Sequence, residues 1–318
     1  MSIQNEGDFT EYLFEPINQT HYHYFQELFF YAFKTTITIR QIELKFNTKV
    51  LGAEVIGYIA IDKKNGVAAA YYGVFPVQLT DHETVIQAAQ SGDTMTHPHH
   101  RKKGLFVHLA QLTFSTCRKK NIKIVFGFPN QFSYPGLVKR LSWQHVDNIV
   151  RWDLKLNIKT FPLPKLLLKN HNLFKTYLTY ARAITKKVSI EVTEFTNKYE
   201  TTLPKVLRDK NYLLYKKVKD KVFIRLDNVI LWIKFSDVLL IGDVDNYTAI
   251  TGKTISKIKK LAFLLGYNTV SFYWNESLQP PSFLRYFKKH SKLPSCSLSL
   301  DQPIFPNILF TAADFDTW

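Results

Sequence analysis

The run Asp93-Thr94-Met95-Thr96-His97-Pro98-His99-His100-Arg101-Lys102-Lys103-Gly104-Leu105-Phe106 constrains this chain more than any other stretch. It reads as a strand that stops at Pro98, crosses a short basic turn and opens a helix around Gly104, because proline cannot donate to a strand ladder. Behind it, Leu105, Leu109 and Leu112, with Phe106, Ala110 and Phe114, recur at helical spacing. A strand of buried type follows over residues 122–128. The first turn of a helix leaves backbone N–H groups without partners and carries partial positive charge. Arg101, Lys102 and Lys103 strengthen that field, so the turn suits a phosphate or pyrophosphate. Strand, basic turn, helix and strand make a unit built around an anionic ligand.

The flanking elements place this unit in a mixed α/β domain. Residues 13–17 read as a strand, and Thr20 caps a helix through Phe33 with aromatics on its buried side. Residues 54–62 form a strand ending in the Asn65-Gly66 hairpin turn. Residues 67–77 return and residues 84–96 lead into the basic turn, so three antiparallel strands feed it. Two more strands, 144–150 and 151–158, close a first domain over residues 1–158. Phe161-Pro162-Leu163-Pro164 breaks regular structure and begins a linker with a helix over residues 159–190. That helix is basic and rich in Leu and Tyr, and reads as an interdomain helix or as one lying on a membrane surface.

Residues 191–318 repeat the first half in outline. Strands at 222–225, 229–235 and 238–242 precede a helix opened by Thr251 and closed by Gly266. The next strand, 269–275, ends in Asn275 as the earlier one ends in Asn130. The basic turn is missing, and Thr251-Gly252-Lys253-Thr254 stands in its place.

Arg101-x-x-Gly104-x-Phe106 resembles the R/Q-x-x-G-x-G/A acyl-CoA loop of the GNAT superfamily of N-acyltransferases. Asn130, in Gly127-Phe128-Pro129-Asn130, follows in the family's order. So does Leu137-Val138-Lys139-Arg140-Leu141-Ser142-Trp143, which is similar to the family's closing Y-x-K-x-G-F segment. The loop departs at Phe106, where Gly or Ala is usual, and Leu137 stands where many members carry a tyrosine that protonates the departing thiolate. The resemblance implies two GNAT-like domains of α/β (mixed α+β) class, each a mostly antiparallel twisted sheet flanked by helices. Only the first would bind acetyl-CoA or another acyl-CoA. On that resemblance the strand before the loop bulges, and Met95 and Thr96 offer backbone amides to the pantetheine arm and thioester oxygen. Arg101 opens the loop, and the amides of Lys102, Lys103, Gly104, Leu105 and Phe106 cradle the pyrophosphate. Asn130 sits where pantetheine enters, or else caps the helix starting at Phe132. Asp93 is the candidate base, its other reading being a solvated strand-edge aspartate. Tyr134 is the candidate acid in place of Leu137, its other reading being a buried aromatic.

Composition narrows the classes further. The net charge of +16 points to anionic partners, but the lysine pairs are spread over both halves as on a solvated surface. No helix-turn-helix, zinc or RNP-type motif accompanies them, so nucleic acid is not favoured. Two cysteines exclude a disulfide framework, and His97-x-His99-His100 lacks the further ligands a metal needs. The first residues show no signal peptide, and no run approaches the ~18 apolar residues of a transmembrane span. A cytoplasmic enzyme is expected, with an oligomeric state the sequence leaves open. Its reaction would be acyl-CoA-dependent N-acyl transfer to a small-molecule amine acceptor. Long tandem members resemble proteins of surface-polysaccharide biosynthesis, which implies an amino sugar. The amine would enter between the halves, bordered by Tyr22, Tyr24, Phe25, Phe126, Phe128 and Tyr134. Two alternatives stand beside this reading. One is a GNAT-fold binding protein without turnover, and the other a tRNA- or peptide-directed aminoacyl transferase.

Overall fold

Small and aromatic side chains along residues 68–79 build the spine of the first sheet in the computed structural model, which describes residues 9–82, 84–156, 162–199, 201, 203–217, 220–301 and 307–316. That spine is β3 (Ala68–Asp81). Tyr72 and Val74 pack with Leu105, Leu109 and Phe114, while Tyr71 and Phe75 pack with Phe25 and Leu28. A strand buried on both faces cannot carry a polar alternation, hence its near-continuous apolar run. Each large side chain buried this way contributes about 1.5–3 kcal/mol.

The described residues fold as two compact units. The first holds the chain through Val146 and takes back the stretch that begins at Ser295; the second holds Asp147–Pro294 and the stretch that begins at Asn307. In the first, β1 (Tyr12–Pro16), β2 (Ile56–Asp62), β3 and β4 (Thr84–Thr96) are successive antiparallel neighbours. Next to β4 lies β5 (Ile124–Gly127), parallel to it. Helices α1 (Tyr22–Phe33) and α2 (Ile39–Phe46) cover one face, and α3 (Leu105–Lys119) covers the other. The start of α1 differs from expectation, because Asn18 rather than Thr20 is the cap. Its side chain accepts from the Thr20 amide at 2.9 Å and fixes a short 3-10 turn ahead of the helix.

One strand, β6 (Gln144–Lys155), replaces the two read from sequence over this stretch, and from Asp147 it belongs to the second unit. After it come α4 (Leu163–Leu167), α5 (His171–Thr185), β7 (Ser189–Ile190), β8 (Lys205–Val206) and α6 (Lys210–Tyr215). The rest is β9 (Lys221–Leu226), β10 (Val229–Phe235), β11 (Leu239–Val244), α7 (Gly252–Leu264), β12 (Thr269–Asn275) and β13 (Lys288–Ser299). In the second sheet β7, β9, β10 and β11 are antiparallel neighbours in that order, β12 lies parallel to β11, and β6 closes antiparallel to β12. The first sheet closes the same way, with residues 296–299 of β13 antiparallel to β5. Each closing strand follows, in sequence, the parallel pair of the other unit.

Candidate active site

The central strand of the first sheet is kinked where chemistry was expected. Tyr71 pairs with Met95 and Gly73 with Gly92, so Asp93 and Thr94 together oppose one residue of β3. This is a β-bulge, and Asp93 holds a left-handed φ of +53° there, which aspartate tolerates better than most residues. β3 needs Gly73 beside the bulge, since a Cβ there would lie 1.9 Å from the Tyr71 hydroxyl oxygen. Parallel register between β4 and β5 ends at Gln90 and Phe126. Beyond it β4 continues to Thr96 while β5 stops at Gly127, so the strands part. At this opening the buried Gln90 Nε2 and Trp143 Nε1 have no hydrogen-bond partner among the described residues. The Trp143 ring lies 3.6 Å from where a Gly127 Cβ would be.

The basic turn follows β4 directly. Lys102 and Gly104 hold positive φ of +66° and +81°, and Gly104 caps α3 with no side-chain hydrogen bond. Among the described residues, the amides of Lys102 through Phe106 donate to no backbone carbonyl. Lys102, Gly104, Leu105 and Phe106 border a cavity of about 100 Å³ whose lining also includes Thr96, Arg101 and Arg140. Leu105 itself is buried, so it can offer the cavity little beyond its amide. Arg101 leans on the Thr96 carbonyl at 3.5 Å, whereas Lys103 turns back to Glu11 at 3.1 Å. Phe106, the residue out of pattern, packs on Tyr72 with centroids 5.4 Å apart. Its bulk is matched in the next turn, where a Cβ on Gly136 would come within 3.0 Å of its ring.

The three histidines build the turn. His97 accepts from the His99 amide at 3.4 Å, and buried His100 meets the Tyr12 hydroxyl at 2.9 Å and Asp62 at 3.8 Å. Burial, then the nearby Lys103 charge, holds the His100 pKa below its usual value. No three acidic, histidine or cysteine side chains among the described residues group as metal ligands would.

The other expected residues have varied surroundings. Asp93 is not a solvated carboxylate; it is buried against Lys45 at 2.6 Å. Met95 lies in the core with Tyr71 and Phe25. The Asn130 side chain accepts from the Phe132 and Ser133 amides at 2.9 and 3.1 Å, a helix-cap arrangement. Tyr134 packs its ring against the core yet reaches His145 Nδ1 with its hydroxyl at 3.2 Å. Leu137 is buried at 4 % exposure. Of the aromatics expected to border the amine, Phe25 and Phe126 are core residues at 0 % and 1 % exposure. Tyr22 instead lines a cavity of about 800 Å³ with Arg40, Glu43, Phe46, Lys49 and Glu54. Burial, then Glu43 and Glu54, pushes the Tyr22 hydroxyl pKa up. Sequence reasoning missed Lys45, Arg140 and His145. Only Arg140 carried a signal, since it sits in the segment similar to Y-x-K-x-G-F.

The second unit has a bulge of its own, in different surroundings. Trp232 pairs with Asp243 and Ile233 with Ile241, leaving Gly242 extra on β11. Asp243 is buried and accepts from Arg208, Tyr247 and, at 2.9 Å, Asn197. Arg208 also reaches Asp314 at 2.7 Å and Thr311 at 2.9 Å. The start of α7 is closed by a capping box, with Thr251 Oγ1 accepting from the Thr254 amide at 3.3 Å and Thr254 answering at 3.4 Å.

Residues 14–146 match the family model described as Acetyltransferase (GNAT) domain. No protein of curated function matches the chain. Among solved structures, a conserved protein of unknown function from Enterococcus faecalis V583, a probable N-acyltransferase, is 12% identical with a TM-score of 0.58, covering 92% of this chain and 73% of that one. A tandem GNAT protein from the clavulanic acid biosynthesis pathway is 10% identical with a TM-score of 0.54, covering 92% and 100%. A GCN5-related glucosamine N-acetyltransferase region of a fungal multi-domain β-N-acetylglucosaminidase is 11% identical with a TM-score of 0.52, covering 90% and 38%. At these identities the likeness is one of fold.

Proposed function

From the match of residues 14–146 to the GNAT acetyltransferase family model, we infer that this chain transfers an acyl group, acetyl in the first instance, from acyl-CoA to a small-molecule amine. The observation that carries the reading is the run of amides from Lys102 through Phe106 that donate to no backbone carbonyl among the described residues, set beside a strand that bulges and parts from its neighbour. The residues fit the cofactor: two positive-φ positions shape the turn beside the cavity, and Arg101, Lys102 and Arg140 line it. Acyl-CoA supplies the thioester carbon that the amine attacks. The amides and cations hold the pyrophosphate. Met95 and Thr96 present backbone to the pantetheine arm along the open edge of β4. Asp93, held in place by Lys45, takes the amine's proton directly or through one water. Tyr134 gives a proton to the leaving thiolate, with His145 beside it to replace that proton.

The acceptor reading rests on the larger cavity. Its lining carries both signs of charge, with Glu43 paired to Arg40 at 3.1 Å and Glu54 to Lys49 at 2.7 Å beside Tyr22. A polar, aromatic-edged site suits an amino sugar, the class named for one structural relative; a role in surface-polysaccharide synthesis is consistent with that acceptor. Titration calorimetry with acetyl-CoA, followed by acetyl transfer to a panel of amino sugars, tests both steps. Absence of heat at millimolar acetyl-CoA would sink the cofactor assignment. One observation favours binding without turnover: Leu137 is buried where a catalytic tyrosine was expected. Binding accompanied by no transfer to any amine in the panel selects that second reading.

A further inference from the structure

The segment from Pro162 through Lys187 contains no aspartate or glutamate, yet it carries Lys165, Lys169, Lys175, Arg182, Lys186 and Lys187. It folds as α4 and α5. Both adjoin the C-terminal end of α7: the Tyr177 and Tyr180 hydroxyls donate to the Leu265 and Leu264 carbonyls at 2.9 and 2.6 Å. Leu163 lies close to Gly266, 3.2 Å from where its Cβ would be. Around this junction Leu163, Leu166, Leu173, Tyr180, Phe263 and Leu264 are between 40% and 52% exposed. Lys259 and Lys260 add charge from α7, which also lacks acidic residues. No carboxylate among the described residues pairs with Lys165, Lys169, Lys175, Lys186, Lys187 or Lys260.

On α5 the apolar and cationic side chains separate. Leu173 and Tyr180 are two helical turns apart on one flank, Lys175, Arg182 and Lys186 share the other, and Tyr177, Ala181 and Thr185 point into the core. Soluble surfaces scatter their exposed leucines; a contiguous patch set in a one-sign field marks an interaction site. Among the described residues no helix is long and apolar enough to cross a membrane, so any lipid contact here is at the surface.

We propose that this face of the second unit docks on anionic phospholipid membranes, its leucines and Phe263 entering the acyl boundary while the lysines meet the headgroup phosphates. The occupant follows from charge complementarity and from the aliphatic content of the patch. Lysines alone would suit RNA as well, but exposed leucines gain nothing from a nucleic-acid backbone and gain directly from acyl chains.

Co-sedimentation of the full chain with vesicles tests this at physiological salt. One set is pure phosphatidylcholine; the other is two parts phosphatidylcholine to one part phosphatidylglycerol. The chain should pellet with the second set and stay in solution with the first. Leu166→Glu combined with Phe263→Glu should abolish pelleting while leaving the circular dichroism spectrum and melting temperature unchanged, since both side chains are exposed. Lys169→Gln combined with Lys175→Gln should weaken it roughly thirtyfold, each cation near an anionic surface counting for about fivefold. No pelleting with phosphatidylglycerol, or pelleting unaffected by the Leu166/Phe263 pair, overturns the proposal. So does retention on a single-stranded RNA that persists in that pair with no vesicle binding.

Discussion

Helices α3 and α7 each follow a bulged central strand and begin in opposite ways. In the first unit the helix starts at a glycine with no side-chain cap, beneath a basic turn whose amides are unspent. In the second, the Thr251 and Thr254 hydroxyls accept from each other's amides in a capping box. The bulges differ in kind as well. Asp93 pairs with Lys45 beside the end of the β4–β5 register, whereas Asp243 sits in a network of Arg208, Tyr247, Asn197 and, through Arg208, Asp314. One helix start has no side-chain cap; the other carries a reciprocal one. A binding site on this fold is thus defined by what is left unsatisfied.

The contrast is most exposed to test in the closed network. Arg208→Ala leaves two buried carboxylates without their cation and should cost about 3–5 kcal/mol of stability, read by urea denaturation. A loss below about 1 kcal/mol would show that the network is not what holds the second unit. In the open helix, Gly104→Glu places a side chain at φ +81° and an anion among the free amides. Acetyl-CoA affinity should fall roughly a hundredfold by calorimetry, and an unchanged constant removes the loop from the site. Tyr134→Phe should lower kcat by about a hundredfold with KM little changed; an equal effect on KM would make Tyr134 a packing residue. Thr251→Ala should cost about 1 kcal/mol and still leave one acetyl-CoA bound per chain. Two bound would mean that the cap alone kept the second unit empty.

The smallest effect concerns pH. His100 is favoured neutral in the folded chain by burial and by Lys103, so as pH falls the unfolded chain takes up its proton first. Stability is therefore present above the ordinary histidine pKa of about 6.5 and declines below it. His100→Gln should flatten that slope in melting temperatures measured across the range.

The open half of this comparison was legible in sequence, because it is written locally. Pro98, Arg101 and Gly104 are adjacent in the chain, and the turn they make depends on little else. Thr251 was likewise readable as a helix start, though not as a closed one. What escaped were partners brought together by the sheet. Nothing near Asp93 announces Lys45, which arrives on α2, and nothing near Asp243 announces Arg208 or Asp314. A strand such as residues 296–299 shows its alternation plainly, yet alternation fits any sheet with a vacant edge. Phe106 looked like a defect in the loop until Gly136 supplied its room.

The crossed provenance of the closing strands sets an order of events during synthesis. Residues 9–146 can collapse early around β3, but the outer edge of β5 stays bare until Ser299 has left the ribosome. While Asp147–Pro294 of the second unit is translated, the first presents Val125 and Phe126 beside an unpaired strand edge, the kind of surface on which nascent chains associate wrongly. The contact that finally covers it spans more than half of the polypeptide, and such closures are slow. The sequence separation of β5 from its partner thus makes the closing of the first sheet a late step of synthesis.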